Sequence, residues 1–570
     1  MSLLKTFFSS LTQQSRDSTR TAMLRATFIG LVAGLGALGL EFAALGLSRL
    51  RLWASSEYPA WIVLPLCGLL GGLISGFLVQ KYSPTAYGSG IPQVRAFLLG
   101  ARQPLDLKLA FVKLIAGSIA LGSGLVMGRE GPTVHVGAAI AAQVNKWFPA
   151  NKEHEKQLVA AGAGAGLAAA FNAPIAGVLF VAEELLKDVS TNTIGTAILA
   201  CFVASAITHI LQAPHMETSH QIQSTMLQFS WFDILFWIVL GVLSGVLGTL
   251  FNHGVLAFLR LYRERIKIPV SLRVGLAGLI SGAVIALFPV TESFRNFSAL
   301  TDLIVAGQTS WVLSLIAFVA FFFLTLLAYG SGAPGGLFAP SLILGASLGS
   351  LVAYMEHQLF GRSSEQTMAM VGMGAFFAAV ARVPITAVVI ITEITHHYNL
   401  VPPLMVTAAI ACFVGSRIDK SSVYDLLREY SGLDEEIRRL RASENQTRAR
   451  NLMKPASTCL SMDSTHEELL LAIRNLDLAG LPVLEGGKFA GIIETGLLMK
   501  DAQILLSADV KLKDLLIATE AVASPESTLE ELERLFDQCG ASTLAVLEGE
   551  ELKGLLHRED LNTVLAVKQA

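Results

Sequence analysis

Long apolar runs separated by short polar connections dominate the chain as far as about residue 430. The runs approach or exceed the ~20 apolar residues that a helix needs to cross a bilayer. The clearest are 27–47, 60–80, 231–250, 270–288 and 311–329. The pattern predicts an all-α polytopic membrane protein.

The pattern changes sharply after residue 430. Residues 433–450 are polar with mixed charge, typical of a helix or linker, and 451–570 has the pattern of a soluble α/β region. We therefore expect a membrane body followed by a cytosolic tail. The predicted boundaries are an N-terminal cytoplasmic segment 1–22, a transmembrane domain 23–430 with halves of about 23–215 and 230–430, a linker 431–447, and tail domains 448–505 and 506–570.

Both parts of the chain repeat internally. In the membrane body, residues 162–185 align with 372–395 at a constant offset of 210 residues, so the body is predicted to be two duplicated halves. In the tail, "STHEEL" (464–469) matches "STLEEL" (527–532), an offset of 63 residues. Each tail unit has the pattern helix, strand, short turn, strand, helix.

Glycines and prolines interrupt apolar segments at corresponding positions of the two halves, as in "GREGP" (128–132) and "GGLFAP" (335–340). In transporters, such broken helices point their N-termini at a substrate near the bilayer midplane. Helix N-termini that converge favour an anion, because their N–H groups lack partners. The alternative is that glycines only let helices pack closely, and this interpretation is favoured for 160–170.

The carboxylates near these motifs differ in symmetry. Glu183 aligns with Glu393, which indicates a structural role in both halves, whereas Glu130 and Glu184 align with apolar residues. An ionisable group within a membrane segment is a functional hypothesis by default, and asymmetric acids suit directional proton transfer. The structural alternatives are a buried Arg129–Glu130 ion pair and, for Glu184, a solvated acid at a helix end.

Composition supports a membrane protein and excludes several classes. The chain is 53% hydrophobic and only 15% charged, against about 25% charged residues in soluble domains. The five cysteines are isolated, so no disulfide or metal site is predicted, and no nucleophile or HExxH motif indicates an enzyme. The net charge of −3 gives no indication of a nucleic-acid partner. Basic residues outnumber acidic ones in the first 25 positions, which favours a cytoplasmic N-terminus.

Four segments in order, GSGIP, GREGP, GGLFAP and SVYDLL (422–427), resemble the anion-site segments of the CLC family of chloride channels and proton-coupled chloride exchangers. The resemblance covers roughly residues 20–430. The 63-residue repeat resembles a CBS-domain pair, a cytosolic tail that many members of the family carry. The resemblance implies the CLC fold, with inverted halves and broken helices, and a homodimer with one pathway per subunit.

The resemblance also implies roles for individual residues. The central chloride site takes the hydroxyls of Ser89 and Tyr424 and the backbone amides of Leu337 and Phe338. The next site outward is formed by Arg129, Glu130 and Gly131, with Glu130 as the gating glutamate. Glu184 is the internal glutamate that transfers the proton, and Lys113 supplies background positive potential.

The leading functional hypothesis is chloride/proton antiport, in which the Glu130 carboxylate competes with chloride for one position. A passive chloride channel of the same fold is the alternative, and Glu184 favours the exchanger because channel members of the family often lack a carboxylate there. No cofactor is required. We expect a prokaryotic inner membrane with both termini cytoplasmic.

The tail has a weaker indication of a ligand. CBS pairs sometimes bind adenine nucleotides through a Gly-h-h-Ser/Thr-x-x-Asp stretch. The first copy keeps Thr495 but has Leu498 in place of the acid, and the second keeps Asp560 but has His557 in place of the hydroxyl. Thr495 and Asp560 are therefore candidate nucleotide contacts, and a tail that mainly stabilises a dimer is the alternative.

Overall fold

The computed structural model divides the chain into two units, Met1–Asp434 and Glu435–Ala570. The first unit ends within the linker that the sequence predicts at 431–447. The structure describes residues 18–149, 152–187, 191–212, 231–287, 297–361, 365–456, 458–474, 480–494, 512–516 and 522–561.

The first half of the membrane unit is helical; one short helix follows Gly90 and another begins at Pro174. Its helices are α1 Ser18–Glu57, α2 Ala60–Tyr82, α3 Ile91–Leu98, α4 Leu107–Gly122, α5 Glu130–Trp147, α6 Lys152–Phe171, α7 Pro174–Phe180 and α8 Thr191–Gln212. A π-helical turn, Val181–Leu186, continues α7, and a 3₁₀ turn, Pro84–Ala86, precedes α3.

The second half repeats this order. Its helices are α9 Trp231–Arg260, α10 Val270–Leu287, α11 Phe297–Val305, α12 Trp311–Gly330, α13 Phe338–Phe360, α14 Glu365–Ala381, α15 Pro384–Thr395, α16 Val401–Ile418 and α17 Val423–Tyr430, and α18 Leu433–Gln446 follows. A π-helical turn, Leu261–Arg265, continues α9, and a 3₁₀ turn, Tyr398–Leu400, leads into α16.

The helices confirm the prediction of a polytopic membrane protein. Each of the five predicted apolar runs falls on a helix, namely α1, α2, α9, α10 and α12. Among the described residues, eight helices are long and apolar enough to cross a membrane. Many of their large apolar side chains lie on the outside of the unit, as contact with lipid requires.

The two halves meet through equivalent helices. α2 packs along α10, and Gly68 and Gly278, 210 residues apart, lie so close that a Cβ on either would collide with the backbone carbonyl of the other. Gly137 and Gly162 make the same contact between α5 and α6, and their counterparts repeat it between α13 and α14. Small residues let helix backbones approach closely in a membrane, which is the packing role that the glycines at 160–170 suggest.

The second unit contains two equivalent small sheets. Their strands are β1 Leu460–Ser461, β2 Gly480–Glu485, β3 Lys488–Glu494, β4 Val522–Ala523, β5 Thr543–Glu548 and β6 Glu551–His557. In each sheet a parallel pair is followed by an antiparallel hairpin, in the orders β1-β2-β3 and β4-β5-β6. Both hairpins shift register at the same place, after Val483 and after Val546, so the 63-residue repeat is structural.

Short helices accompany these sheets. They are α19 Ala449–Leu452, α20 His466–Arg474, α21 Leu512–Leu515 and α22 Leu529–Cys539. Leu529, Leu532 and Phe536 of α22 are buried in a small apolar core with strand residues of β5. The tail is therefore the α/β region that its composition predicts.

Candidate anion and proton site

Three helices of the membrane unit, those that begin in the motifs GSGIP, GREGP and GGLFAP, have no capping bond from the side chain of their own N-cap residue. α3, α5 and α13 start after Gly90, Arg129 and Leu337, and in the described structure none of these N-cap residues makes a side-chain capping bond. By contrast, Asp106 caps α4 and Ser310 caps α12 through their side chains. The first-turn N–H groups of a helix have no intrahelical partner, so these three uncapped ends can receive an external acceptor.

Paired glycines hold two of these ends together. The Gly128 N–H donates to the Gly336 carbonyl oxygen at 2.8 Å, and the Gly336 N–H donates to the Gly128 carbonyl oxygen at 2.7 Å. The bridge is antiparallel and joins equivalent residues of the two halves, as a two-fold relation between them requires. Each glycine stands two residues before a helix start, so α5 and α13 begin side by side.

The loop before the third helix, α3, contacts the start of α5 through Ser89. A Cβ on Gly131 would lie 2.8 Å from Ser89 Cβ and 2.9 Å from its carbonyl oxygen, so the GSGIP loop lies against the start of α5. Ser89 is 1% exposed. Its hydroxyl accepts from the Ile91 N–H at 3.4 Å, and its own N–H donates to the Tyr329 hydroxyl at 3.4 Å. Tyr329 is absent from the sequence-based site.

The Glu130 carboxylate lies at the N-terminus of the other half's helix. Glu130 is 3% exposed, and its Oε2 accepts from the Ala339 N–H in the first turn of α13 at 3.4 Å. The carboxyl group thus accepts from the first turn of a helix whose own N-cap residue provides no side-chain cap. That it competes with an anion for this position stays a prediction.

Arg129 pairs away from Glu130. Its guanidinium forms a salt bridge with Glu41 of α1, and its Nη2 donates to the Ala170 carbonyl oxygen at 3.0 Å. The structure therefore does not contain the buried Arg129–Glu130 pair that was the structural alternative. Glu41 is a second residue that sequence reasoning did not identify.

Lys113 anchors the loop that carries Ser89. Its ammonium group is fully buried and donates to the carbonyl oxygens of Ala86 at 2.8 Å, Tyr87 at 3.4 Å and Gly88 at 2.5 Å. A buried lysine that satisfies three consecutive carbonyls fixes the backbone immediately before the serine. The background positive potential that the resemblance implies for Lys113 stays a prediction.

Three further candidates for the chloride site are buried in the large apolar core of the membrane unit. They are Leu337, Phe338 and Tyr424. The ring centroid of Phe338 lies 3.7 Å from that of Phe377. Tyr424 stands in the first turn of α17, which packs on α3. Ser89 lies in the loop directly before α3, so the structure places the elements that carry these two hydroxyls next to each other.

Glu184 forms an ion pair that the sequence does not reveal. Arg95 Nη1 lies 2.6 Å from Glu184 Oε1, and Arg95 Nη2 lies 2.9 Å from Asp425 Oδ1. Glu184 is buried, so the solvated acid that was its alternative role does not apply. Arg95 is the one charged residue of α3, and a charge in a membrane segment marks a functional residue; that signal was available in "GSGIPQVR".

Glu183 caps a helix of the second half of the membrane unit, and Glu393 caps the equivalent helix of the first half. The Glu183 carboxylate accepts from the Ile385 and Thr386 N–H groups at 3.1 and 2.7 Å and from the Thr386 hydroxyl at 2.6 Å. Glu393 accepts from the Ile175 and Ala176 N–H groups at 3.1 and 2.8 Å. The helices that begin at prolines are thereby capped in trans, which is the structural role that the symmetry of these acids predicts.

In the tail, the candidate nucleotide contact already has a partner. Asp560 pairs with Lys454 at 2.8 Å. His557 Nδ1 lies 3.0 Å from the Thr543 hydroxyl, and burial lowers the pKa of His557, which favours the neutral ring. Thr495 lies outside the described residues.

Comparisons with known proteins indicate the family to which the chain is related. A family model described as "Voltage gated chloride channel" matches residues 71–416. The chain is 33% identical over 459 residues to "H(+)/Cl(-) exchange transporter ClcA" of Vibrio parahaemolyticus serotype O3:K6 (strain RIMD 2210633), a match that covers 76% of this chain and 94% of that protein.

Two solved structures share the fold. One is a slow cyanobacterial Cl⁻/H⁺ antiporter, with a TM-score of 0.66, 30% identity, and coverage of 72% of this chain and 97% of that one. The other is a eukaryotic CLC transporter, with a TM-score of 0.64, 25% identity, and coverage of 95% of this chain and 97% of that one.

Proposed function

Because the chain belongs to the voltage gated chloride channel family, we propose that it is a transporter that exchanges chloride for protons across a membrane. The observation that carries the proposal is the Glu130 carboxylate at the N-terminus of α13, where Ala339 donates to it. An acid in that position is a tethered anion that chloride can replace. One site then serves both transported ions.

The proposed chloride site combines neutral donors. The hydroxyls of Ser89 and Tyr424 and the backbone amides of Leu337 and Phe338 would hold the central ion, and the backbone around Arg129 and Gly131 would hold the next one outward. These donors carry partial charges only. Conduction needs binding that is weak enough to release the ion, and the guanidinium of Arg129 is already paired with Glu41.

Competition at this site would couple the two ions. While Glu130 is ionised, its carboxylate occupies the helix end and excludes chloride. Protonation removes the charge, the helix end no longer favours the side chain, and chloride enters. Glu184 would receive the proton from the cytoplasmic side, and Lys113 would hold the loop and raise the local positive potential.

A passive channel is less well supported. The Vibrio relative is named an exchange transporter, and the cyanobacterial structure is described as an antiporter. This chain also keeps a buried carboxylate at Glu184, which a purely passive pathway for chloride does not need. We therefore retain exchange as the function.

Flux measurements in proteoliposomes test the proposal. An outward chloride gradient should drive proton uptake by the unaltered protein, and E130Q and E184Q should each abolish that uptake while chloride flux persists. E183Q is the matched control, because Glu183 is the adjacent acid in the chain but caps a helix; it should keep the coupling ratio. Proton uptake that survives in E184Q would remove the case for its relay role.

We further propose a homodimer with one pathway per subunit, in a prokaryotic inner membrane with both termini cytoplasmic. The resemblance to the family supports both statements.

Binding of an adenine nucleotide to the predicted CBS pair is a second candidate function, and Asp560 is the one residue that supports it. Because Lys454 neutralises Asp560, a nucleotide would have to displace it. Isothermal titration of the purified chain with ATP tests this, and absence of heat at millimolar ligand rejects it.

A further inference from the structure

One guanidinium joins two carboxylates in the interior of the membrane unit. Arg95 reaches Glu184 at 2.6 Å through Nη1 and Asp425 at 2.9 Å through Nη2. The forked, planar geometry of arginine permits this double pairing, which the point charge of lysine does not reproduce. The pairing is long-range, since Arg95 and Glu184 are 89 residues apart in sequence.

The bridge joins α17, which carries Tyr424, to α3, which follows the loop that carries Ser89. Arg95 lies on α3, which begins directly after the Ser89–Gly90 loop. Asp425 follows Tyr424 in the first turn of α17. The ion pair between α3 and α17 therefore lies one residue from Tyr424 and six residues from Ser89, and Glu184 shares it.

The charges around the bridge extend from the interior towards solvent. Arg95 and Glu184 are nearly fully buried, whereas the Asp425 side chain is 24% exposed. Arg428 Nη2 approaches Asp425 Oδ1 at 3.4 Å and its Nε pairs with Asp434. Lys187, which is exposed, adds positive charge near both Glu184 and Asp425.

We propose that Arg95 is a positioning residue that transmits the protonation state of Glu184 to the α3–α17 contact through Asp425. This inference rests on the proposed exchange function. When Glu184 is ionised, two carboxylates share the guanidinium. When Glu184 takes up a proton, Asp425 is the remaining ionised partner, and the pair between α3 and α17 strengthens. The separation of the Ser89 and Tyr424 hydroxyls then depends on proton loading.

The test measures chloride flux in proteoliposomes as a function of internal pH, together with chloride-driven proton uptake. We expect R95K and D425N each to slow coupled turnover roughly tenfold, as the loss of one hydrogen bond to a charged group would. Both should also flatten the dependence of chloride flux on internal pH. The double variant should be little worse than either single one, because both remove the same interaction.

A matched control separates the ion pair from helix capping. Asp425 also forms a capping box with Ser422, whose hydroxyl accepts from the Asp425 N–H at 3.1 Å. S422A removes that cap and the bond that the Ser422 hydroxyl donates to Asp425 Oδ2 at 3.0 Å, but it leaves Oδ1 for Arg95, so it should keep the pH profile of the unaltered protein. In an E184Q background, R95K should no longer alter the pH profile, because residue 184 can then no longer take up the proton to which Arg95 responds.

Two results would overturn the proposal: an unchanged pH profile in R95K, or an S422A profile that matches D425N. R95K leaves the capping box intact, so it decides the matter if D425N does not fold. Proton uptake by the unaltered protein is measured in the same vesicles. Its absence would count against exchange itself, whereas normal uptake with an unaffected R95K counts only against the bridge.

Discussion

A methyl group at Gly131 has no room in this structure. Its carbon would lie 2.8 Å from Ser89 Cβ and 2.9 Å from the Ser89 Cα and carbonyl oxygen, which is closer than real Cβ atoms come to their neighbours. The clash involves backbone, so a rotamer change cannot relieve it. The glycine of GREGP therefore has a local reason to be glycine, namely the approach of the GSGIP loop.

G131A should consequently displace Ser89 and reduce chloride efflux from proteoliposomes by roughly tenfold or more, as expected when one ligand of a bound ion loses its position. G39A is the matched control, because nothing lies within 4 Å of a Cβ added to Gly39 on α1. If G131A transports chloride at the rate of G39A, the contact between the two loops does not set the geometry of the site.

Residues with a local motif could be predicted at this scale, and residues defined by distant partners could not. Ser89 and Glu130 lie in short Gly/Pro-rich stretches, and the alignment of the two halves singles out Glu130 as asymmetric. Arg95 is marked only by its charge within an apolar segment, and Tyr329 by nothing in the sequence; the partners of these two residues are 89 and 240 residues away in sequence. The partners of a buried charge follow from the packed fold, which one sequence does not show.

At the scale of elements, the short helices are the informative ones. α3 has eight residues and α7 has seven, too few to cross a bilayer, so hydropathy alone cannot find them. Proline and glycine mark them instead, because proline favours the first helical turn. Ends in the membrane must be satisfied internally. Cross-capping does this for α7 and α15, and we propose that an anion does it where α3, α5 and α13 begin.

The cross-caps predict unequal losses of stability. Glu183 accepts three bonds at the start of α15, whereas Glu393 accepts two at the start of α7. Replacing either acid by glutamine removes charge from a helix N-terminus and weakens these bonds, at a cost of about 1–2 kcal/mol. E183Q should therefore lower the thermal unfolding temperature of the purified protein more than E393Q does.

S310A provides the comparison for an ordinary cap, since Ser310 caps α12 with one bond from the Leu313 N–H at 3.3 Å. It should destabilise by less than either glutamate variant. Equal unfolding temperatures for all three variants would mean that cross-capping contributes no more than a single local cap does.

For the whole molecule, duplication explains both what was predictable and what was not. The repeat made the two-half architecture evident from sequence, and the reciprocal bond between Gly128 and Gly336 is its structural counterpart. Glu130 and Glu184 depart from that symmetry, and both belong to the transport pathway that we propose. On that proposal, the scaffold is symmetric where residues have a structural role and asymmetric where a proton is transferred in one direction.

The contacts of the proposed transport site all lie within the first unit. The family model's match ends at residue 416, inside the first unit. Every contact described above for Ser89, Glu130 and Glu184 is made by residues of that unit. A chain that ends at Gln446, which keeps α18 whole, should therefore retain chloride-driven proton uptake with the same coupling ratio. E130Q in the shortened chain should abolish the uptake, as in the full chain. If the shortened protein is monodisperse but passes chloride without protons, the tail takes part in coupling, because the buried site alone would then be insufficient to bind the two ions in turn.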